Sequence, residues 1–215
     1  MLAAAALAEP GDIRLAGVTT YYSGTSVSGA GDVNGDGRAD LLNAYGWWEN
    51  PGNASTSDVT GYGIYLADVD GGLINRSVAH SNGAYGAAPV GIWAAGSNRV
   101  TIQYSESYNN RTMTTTDGGG FDFDWNVTNS VMQYNYSHGN HGPGFLLAAG
   151  TKTNKNNVIR YNVSQNDGRK NGKAGIQLGG NVTSSDVHNN VVYMKPSGSS
   201  QSAAFIAHDY GSNGK

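Results

Sequence analysis

The chain has 215 residues, a formal net charge of −3 and only 13% charged residues. Lysine and arginine form no run, which argues against a nucleic-acid partner and against binding to an anionic membrane surface. Cysteine is absent, which excludes disulfides and thiolate metal sites. The 32 glycines, with abundant asparagine, serine, threonine and tyrosine, are typical of short strands joined by turns. No apolar run approaches the roughly 18 residues that a membrane span needs.

The N-terminus begins MLAAAALAEPG. Its apolar stretch ends in Ala6-Leu7-Ala8, which resembles the tail of a secretory signal with a small-residue cleavage site, although it is short and has no basic leading region. Two interpretations stay open, the end of an export signal and an arbitrary start of the gene. We separate residues 1–60, as an N-terminal segment, from a repeat domain over residues 61–215.

The stretch GAGDVNGDGRADLLNAYG at 29–46 follows in this segment. It resembles the calcium loop of FG-GAP and VCBS repeats, in which alternate residues supply oxygen ligands and the glycines between them allow sharp turns. An EF-hand would need a glutamate where Asn43 stands. The resemblance implies a Ca²⁺ ion held by side-chain oxygens and one backbone carbonyl, from Asp32, Asn34, Asp36, Asp40 and, through its carbonyl, Arg38.

Short apolar segments recur from residue 63 onwards, at intervals of 24 to 31 residues. A second series of segments rich in Asn and Ser runs in phase with them. Self-similarity at this period indicates a solenoid in which each coil buries its face against its neighbours. Because each repeat holds strand-sized patches and no helical period, we predict β-coils. The apolar segments are GIYLAD, GIWAAG, GFDFDW, GFLLAA, GIQLGG and AFIAHD, beginning at Gly63, Gly91, Gly120, Gly144, Gly175 and Ala204.

Stacking the repeats in register places equivalent residues in columns. Two apolar columns are expected to fill the core. A third column of small polar residues suits a tight bend, where asparagine tolerates left-handed dihedral angles and stacked amides bond along the axis. The apolar columns are Ile64, Ile92, Phe121, Phe145, Ile176 and Phe205, and Leu66, Ala94, Phe123, Leu147 and Leu178; the polar column is Ser77, Ser105, Asn135, Asn162 and Asn190.

The stretches GIWAAGSNRVTIQYSESYNNRT, DGGGFDFDWNVTNSVMQYNYSHGNHGPGFLL and NNVIRYNVSQNDGRKNGKAGIQL resemble secreted bacterial β-helix repeat proteins of the pectate-lyase-like superfamily. The resemblance implies an all-β, right-handed, single-stranded parallel β-helix of about five to six coils. It further implies a secreted or cell-surface protein with a polysaccharide partner. It does not fix the chemistry, because one fold supports many reactions.

Two carboxylates, Asp122 and Asp124, lie in the segment FDFD. Because a strand alternates its faces, its phenylalanines point to one side and its aspartates to the other. In the repeat register Asp122 stacks with Tyr65 and Trp93 on the outer face, over a floor of small residues. This pattern predicts a shallow, exposed sugar groove in which Asp122 and Asp124 are catalytic and Tyr65 and Trp93 bind the substrate.

Three interpretations of the carboxylates stay open. They fit the acid and base of glycoside hydrolysis, which uses separations of roughly 5 to 9.5 Å. They also fit a calcium site beside a base that abstracts a proton, as in lyases, with Lys152, Lys155 and Arg160 as candidate bases. In the third interpretation they only keep an outer strand soluble.

His138 is the remaining candidate for substrate binding. It shares a column with His80, and His141 follows it in a glycine-rich turn. Two histidines without a third ligand make a poor zinc site, so a surface or hydrogen-bonding role is favoured. The turns around Asp117 and His141 are the alternative location for the site.

The leading hypothesis is an extracellular β-helix protein that binds a polysaccharide and that could also cleave it, as a lyase or a glycoside hydrolase. The alternative is a non-catalytic surface or adhesion scaffold. The last repeat, AFIAHDYGSNGK, stops one strand into a coil and resembles no cap. We therefore expect either a longer protein or self-association through the C-terminal end.

Overall fold

The structure is a computed structural model that describes residues 62–83, 88–170, 173–195 and 202–208, together with the backbone of four short N-terminal strands. Every regular element in these residues is a β-strand, and none is a helix that could cross a membrane. The strands are β1 Ile13–Leu15, β2 Ser28–Gly31, β3 Asp40–Asn43, β4 Gly46–Trp48, β5 Ile64–Ala67, β6 Gly72–Asn75, β7 Val78–His80, β8 Val90–Ala95, β9 Thr101–Gln103, β10 Glu106–Tyr108, β11 Gly119–Phe123, β12 Val131–Gln133, β13 Tyr136–His138, β14 Phe145–Lys155, β15 Val158–Arg160, β16 Val163–Gln165, β17 Ala174–Thr183, β18 Asp186–His188, β19 Val191–Tyr193 and β20 Ala203–His208.

The strands from β5 onwards form a parallel β-helix, as the repeats predict. Each coil contributes one strand to each of three parallel sheets, and β20 begins a further coil. The first sheet has the order β5-β8-β11-β14-β17-β20, the second β6-β9-β12-β15-β18, and the third β7-β10-β13-β16-β19. Outside the solenoid, β1 pairs antiparallel with β6, and β2, β3 and β4 form a small antiparallel sheet.

Both predicted apolar columns are confirmed by the strand register. Phe121 pairs with Ile92 on one side and with Phe145 on the other, and Phe123 pairs with Ala94 and Leu147. The rings of Phe121 and Phe145 stack with centroids 5.0 Å apart. These side chains are fully buried and form the centre of the hydrophobic core. The period-two alternation of these strands therefore produces two continuous apolar columns on the core-facing side of the first sheet.

The predicted polar column is also confirmed, with one correction. The backbone N–H of Ser105 donates to Asn135 Oδ1 at 3.0 Å, and the N–H of Asn135 donates to Asn162 Oδ1 at 2.9 Å, so the side chains bond along the axis. The prediction that these residues adopt left-handed dihedral angles is wrong. The residue immediately before each of them does so, for example Tyr134 at φ 56°. The left-handed dihedral angle at the preceding residue makes the bend, and the residue of the polar column that follows it points inward.

A glycine lies at or near the start of each strand of the first sheet from β5 to β17, and packing explains why no larger residue occupies this position. A Cβ on Gly120 would lie 2.2 Å from Ser137 Oγ and 2.9 Å from the carbonyl oxygen of Gly144 in the next coil. Real Cβ atoms do not approach so closely, so any larger residue would push neighbouring coils apart. The glycine period in the sequence thus marks where the first strand of a coil approaches both the backbone of the next coil and a side chain from the third sheet of its own coil.

The two ends of the chain test the remaining predictions only in part. Phe205 in β20 is 49% exposed although its column is buried in the preceding coils. Self-association through this end stays a prediction, as does the division of the chain at residue 60. The predicted calcium ligands lie outside the described residues, except for Asp40, whose backbone begins β3.

Candidate functional site

The face of the first sheet that points away from the core carries the predicted site. Along it, Trp93 pairs with Tyr65 on one side and with Asp122 on the other, in the predicted register. The expected shallow, exposed groove is wrong for this column, because Trp93 is buried and Asp122 is only 1% exposed. Strand alternation determines which way a side chain points, but not whether a further layer covers it.

An aromatic cluster forms part of that layer. The rings of Tyr65 and Trp93 stack with centroids 3.8 Å apart. Tyr62 lies 4.9 Å from Trp93, and Trp125 meets the indole of Trp93 edge-on at 6.3 Å. Tyr62 and Trp125 are each 43% exposed. Trp93 is therefore the interior of the cluster, and the rings that a sugar could contact are Tyr62 and Trp125, which the sequence analysis missed.

Three carboxyl groups lie within electrostatic reach of one another beside this cluster. Burial, and then the charges of Asp124 and Asp117, hold the pKa of Asp122 well above its usual range. Burial raises the pKa of Asp124 to about 7. The hydrogen bond that its Oδ1 accepts from the Trp125 backbone N–H at 2.8 Å lowers this pKa, and the charge of Asp117 raises it. Burial raises the pKa of Asp117 to about 6, and the ammonium of Lys173 partly opposes this shift.

Asp117 and Asp124 differ from Asp122 in accessibility. Both are only partly buried, whereas Asp122 lies between them in sequence on a fully buried strand. Asp122 Oδ1 has no hydrogen-bond partner among the described residues, and neither has the neighbouring Trp93 Nε1. A buried carboxyl without a partner favours its neutral form. Asp117 and Asp124 are therefore partly accessible to solvent, whereas the side chain of Asp122 is not.

Asp117 was missed as a catalytic candidate because it lies outside the repeated strand. It has a left-handed backbone, with φ 49°, in the turn that leads into β11. The available signal was the sequence Asp-Gly-Gly-Gly directly before FDFD. A carboxylate in a glycine-rich turn at the start of a strand can reach the face that the strand presents, but the turn length alone does not fix its direction.

These raised pKa values predict an unusual dependence of stability on pH. A carboxyl with a raised pKa binds more protons in the folded than in the unfolded state, so its contribution to the free energy of unfolding falls as pH rises through the folded pKa. For Asp117 and Asp124 the window runs from the ordinary value of 3.8 to about 6 and about 7. We expect the wild-type protein to lose more stability between about pH 4 and about pH 8 than the variant Asp122→Asn, which cannot ionise at that position.

The measurement is the urea midpoint at each pH for both proteins. The exposed Asp186 provides a matched control, because Asp186→Asn should keep the wild-type slope. Parallel slopes in wild type and Asp122→Asn would show that Asp122 does not contribute to the pH dependence.

His138 is not brought to the carboxyl groups. It lies on β13 in the third sheet, with its Nε2 2.8 Å from Oε1 of Glu106 and its ring 4.7 Å from that of Tyr108. The predicted column containing His80 and His138 is confirmed by the register. The assignment of His138 to substrate binding stays a prediction, and its position gives it no contact with the aspartates of the first sheet.

Of the candidate lyase bases, the two lysines lie on β14 in the first sheet and the arginine lies in the second sheet. Arg160 lies on β15 of the second sheet and donates to Gln133 Oε1 at 2.8 Å. Lys152 and Lys155 are exposed on the far part of β14. Lys173 is the cation that acts on Asp117. Among the described residues, no group of three or more acidic, histidine or cysteine side chains could hold a metal ion.

Comparison with known proteins identifies the family. The family model for the right-handed β-helix region matches residues 50–192, well over half of the chain. The chain belongs to the right-handed β-helix family. This confirms the fold and its handedness, while membership of the narrower pectate-lyase-like superfamily, secretion and an FG-GAP-like N-terminus stay predictions.

One curated relative is similar over part of the chain. Lacto-N-biosidase of Bifidobacterium longum subsp. longum is 32% identical over 124 residues, which is 56% of this chain. The matched part spans only 7% of the length of that enzyme. No solved structure matches the chain. The similarity is compatible with a carbohydrate-related function.

Proposed function

We propose that this right-handed β-helix protein is an extracellular glycoside hydrolase in which Asp117 and Asp124 act as the pair of carboxyl groups. The observation that carries the proposal is the environment of these two carboxyl groups, that is, their accessibility, their pKa values and the aromatic ring next to one of them. Both are partly accessible, burial raises the pKa of both, and Asp124 directly precedes the exposed ring of Trp125. Glycoside hydrolysis needs one carboxyl group that holds a proton and one that has lost it.

The surroundings of the two carboxyl groups assign the roles, because the Lys173 ammonium favours the ionised form of Asp117, whereas only a backbone hydrogen bond opposes the raised pKa of Asp124. Asp124, with a pKa of about 7, retains its proton to higher pH and is the general acid that protonates the leaving-group oxygen. Asp117, with a pKa of about 6, is the carboxylate that attacks the sugar or activates a water. Asp122, which is buried on β11, is not one of the pair.

The exposed rings supply the sugar contacts. Trp125 follows Asp124 directly in the chain and is held edge-on against Trp93, and Tyr62 packs on the other side of Trp93. Aromatic rings with one face against protein and the rest in water are suited to the apolar faces of sugars. Trp93 and Tyr65, which the sequence assigned to substrate binding, support these outer rings.

The similarity to lacto-N-biosidase supports glycosidic chemistry, since its name describes an enzyme that acts on a glycoside. Because the matched part is a small fraction of that enzyme, the substrate is a separate proposal. We propose a neutral oligosaccharide at the site on the first sheet, since the Asp117 carboxylate, and Asp124 once it loses its proton, would repel an anionic sugar.

The test is an assay of the purified full chain on an aryl lacto-N-bioside and on a panel of neutral oligosaccharides. We expect new reducing ends without the ultraviolet absorbance of unsaturated uronates. Unsaturated products would instead indicate a lyase. Binding of sugars without any cleavage would favour the non-catalytic module and would overturn the proposed hydrolase.

We also propose that residues 32–40 bind Ca²⁺. The residues that would hold the ion are those of the loop pattern, Asp32, Asn34, Asp36, Arg38 and Asp40. Three aspartates close together repel one another unless a cation neutralises them, so added Ca²⁺ should raise Tm and Asp36→Ala should remove the increase. Thermal unfolding with and without Ca²⁺, against chelator-treated protein, measures both. An unchanged wild-type Tm across the titration would contradict the proposed ion.

A further inference from the structure

The turn between the second and third sheets repeats an unusual backbone in five coils. One residue in each turn adopts a left-handed conformation with φ between 51° and 56°. Three of the five residues, in successive coils, are tyrosines. The residues are Arg76, Tyr104, Tyr134, Tyr161 and Asn189.

The other two turns of the coil have the same left-handed geometry but mostly different residues. Between the third and first sheets, and between the first and second sheets, asparagine, glycine and serine predominate. Small residues suit this region, and asparagine visits it routinely, whereas a bulky side chain there is strained. The residues are Ser81, Asn109, Gly139 and Asn166 in one turn and Gly71, Arg99, Asn129, Asn156 and Ser184 in the other.

The side chains of these tyrosines point to solvent and not into the core. Tyr104, Tyr134 and Tyr161 are 52%, 44% and 43% exposed. Their rings stack nearly parallel, with centroids 5.1 and 5.2 Å apart. The result is a row of aromatic edges and phenol groups along the outside of the solenoid, with one ring in each of three successive coils.

A row of hydrogen-bonding side chains runs beside the tyrosines. Gln133 Nε2 donates to Gln103 Oε1 at 2.9 Å, and the guanidinium of Arg160 donates to Gln133 Oε1 at 2.8 and 3.0 Å. The Arg160 guanidinium carbon also lies 5.9 Å from the centre of the Tyr161 ring. These bonds fix the amides and the cation in a line parallel to the rings.

The charge of this strip has one sign. We define the tyrosine strip as ten positions, two from each coil, and none of them is acidic while two are arginines and one is a histidine. Two arginines, three coils apart, among hydrogen-bonding side chains without a carboxylate favour an anionic ligand. The positions are Asn75, Arg76, Gln103, Tyr104, Gln133, Tyr134, Arg160, Tyr161, His188 and Asn189.

We propose that the tyrosine strip is a second carbohydrate-binding site, which takes a linear acidic polysaccharide laid along the solenoid axis. A surface with a tyrosine in each of three successive coils matches a repeating polymer, the phenol and amide groups bind hydroxyls, and the arginines bind carboxylates. The strip lies in the turns between the second and third sheets, whereas Asp117 and Asp124 flank the first. It is therefore separate from the proposed hydrolytic site and binds whether or not that site cleaves.

The test uses Tyr134→Asn, since asparagine suits the left-handed backbone and leaves the fold intact. Binding of alginate, a linear uronate polymer, is measured by calorimetry, with a neutral linear β-glucan as the uncharged comparison. We expect the wild type to bind alginate more tightly than the β-glucan, and Tyr134→Asn to bind alginate about tenfold more weakly. Its Tm should be unchanged or higher, because strain is relieved.

Tyr193→Asn is the matched control, because Tyr193 is an exposed tyrosine on β19 outside the strip. It should bind alginate like the wild type. Unchanged alginate binding by Tyr134→Asn, with a lowered Tm, would show that the stacked rings only stabilise the fold. A polyproline peptide is measured as a second comparison ligand. The proposal would also be overturned if the wild type did not bind alginate, or if it bound only the β-glucan or only the peptide. None of these readouts depends on hydrolysis.

Discussion

Asp124→Asn should lower kcat for release of a sugar leaving group by about 10²- to 10⁴-fold, the range for loss of a general acid. The reason is that an amide cannot donate the proton that the departing glycosidic oxygen needs. The carboxyl is suited to this role because burial raises its pKa to about 7. Steady-state kinetics on an oligosaccharide, with circular dichroism to confirm the fold, measure the effect.

The leaving group distinguishes the two carboxyl roles. An aryl glycoside with an acidic phenol needs little protonation, so Asp124→Asn should retain much more activity on it than on an oligosaccharide. Asp117→Asn removes the attacking or activating carboxylate and should lose activity on both substrates. If both variants lose activity equally on both substrates, the assignment of acid and base would be wrong.

The pH profile gives an independent check on the same pair. The wild-type rate should rise as Asp117 ionises, with an acidic limb near its pKa of about 6, and fall as Asp124 loses its proton, with a basic limb near about 7. The residual activity of Asp124→Asn should lack the basic limb. The control Asp186→Asn, at an exposed position on β18, should keep both limbs and the full rate.

The repeat period made most of the fold predictable. Every coil repeats the same pattern, so one correct alignment of Gly63 with Gly91 and Gly120 fixes the register of all three sheets and the contents of both core columns. The small polar column followed from the same alignment. Periodic residues are predictable because each meets the same neighbours one coil above and one coil below.

The site was predictable only where it is periodic. The strand alternation of FDFD correctly turned Asp122 away from the core, but the covering of that face depends on Tyr62 and Trp125, which no repeat relates to it. Asp117 was missed for the same reason, since it lies in a turn whose length differs between coils. The electrostatics of three mutually close carboxyl groups follow from this non-periodic packing and not from the spacing of two residues.

Phe121→Ala should destabilise the protein by about 3–5 kcal/mol, the usual cost of removing a buried aromatic ring. Phe121 is fully buried and stacks on Phe145 at 5.0 Å. Its strand, β11, pairs with β8 on one side and with β14 on the other. In a solenoid each coil is stabilised mainly by its neighbours, so a cavity in this coil weakens two interfaces at once.

The chain provides an internal control in the same column. Phe205 occupies the position equivalent to Phe121 but is 49% exposed, and within the described strands β20 pairs only with β17. The identical substitution Phe205→Ala removes the same atoms from a half-solvated site at a single interface, so its cost should be about 1 kcal/mol. Urea denaturation gives both values from the midpoint and slope. Equal costs would mean that Phe205 is covered in solution, as self-association through β20 would require, whereas unequal costs in the expected order follow directly from the number of coils that each ring contacts.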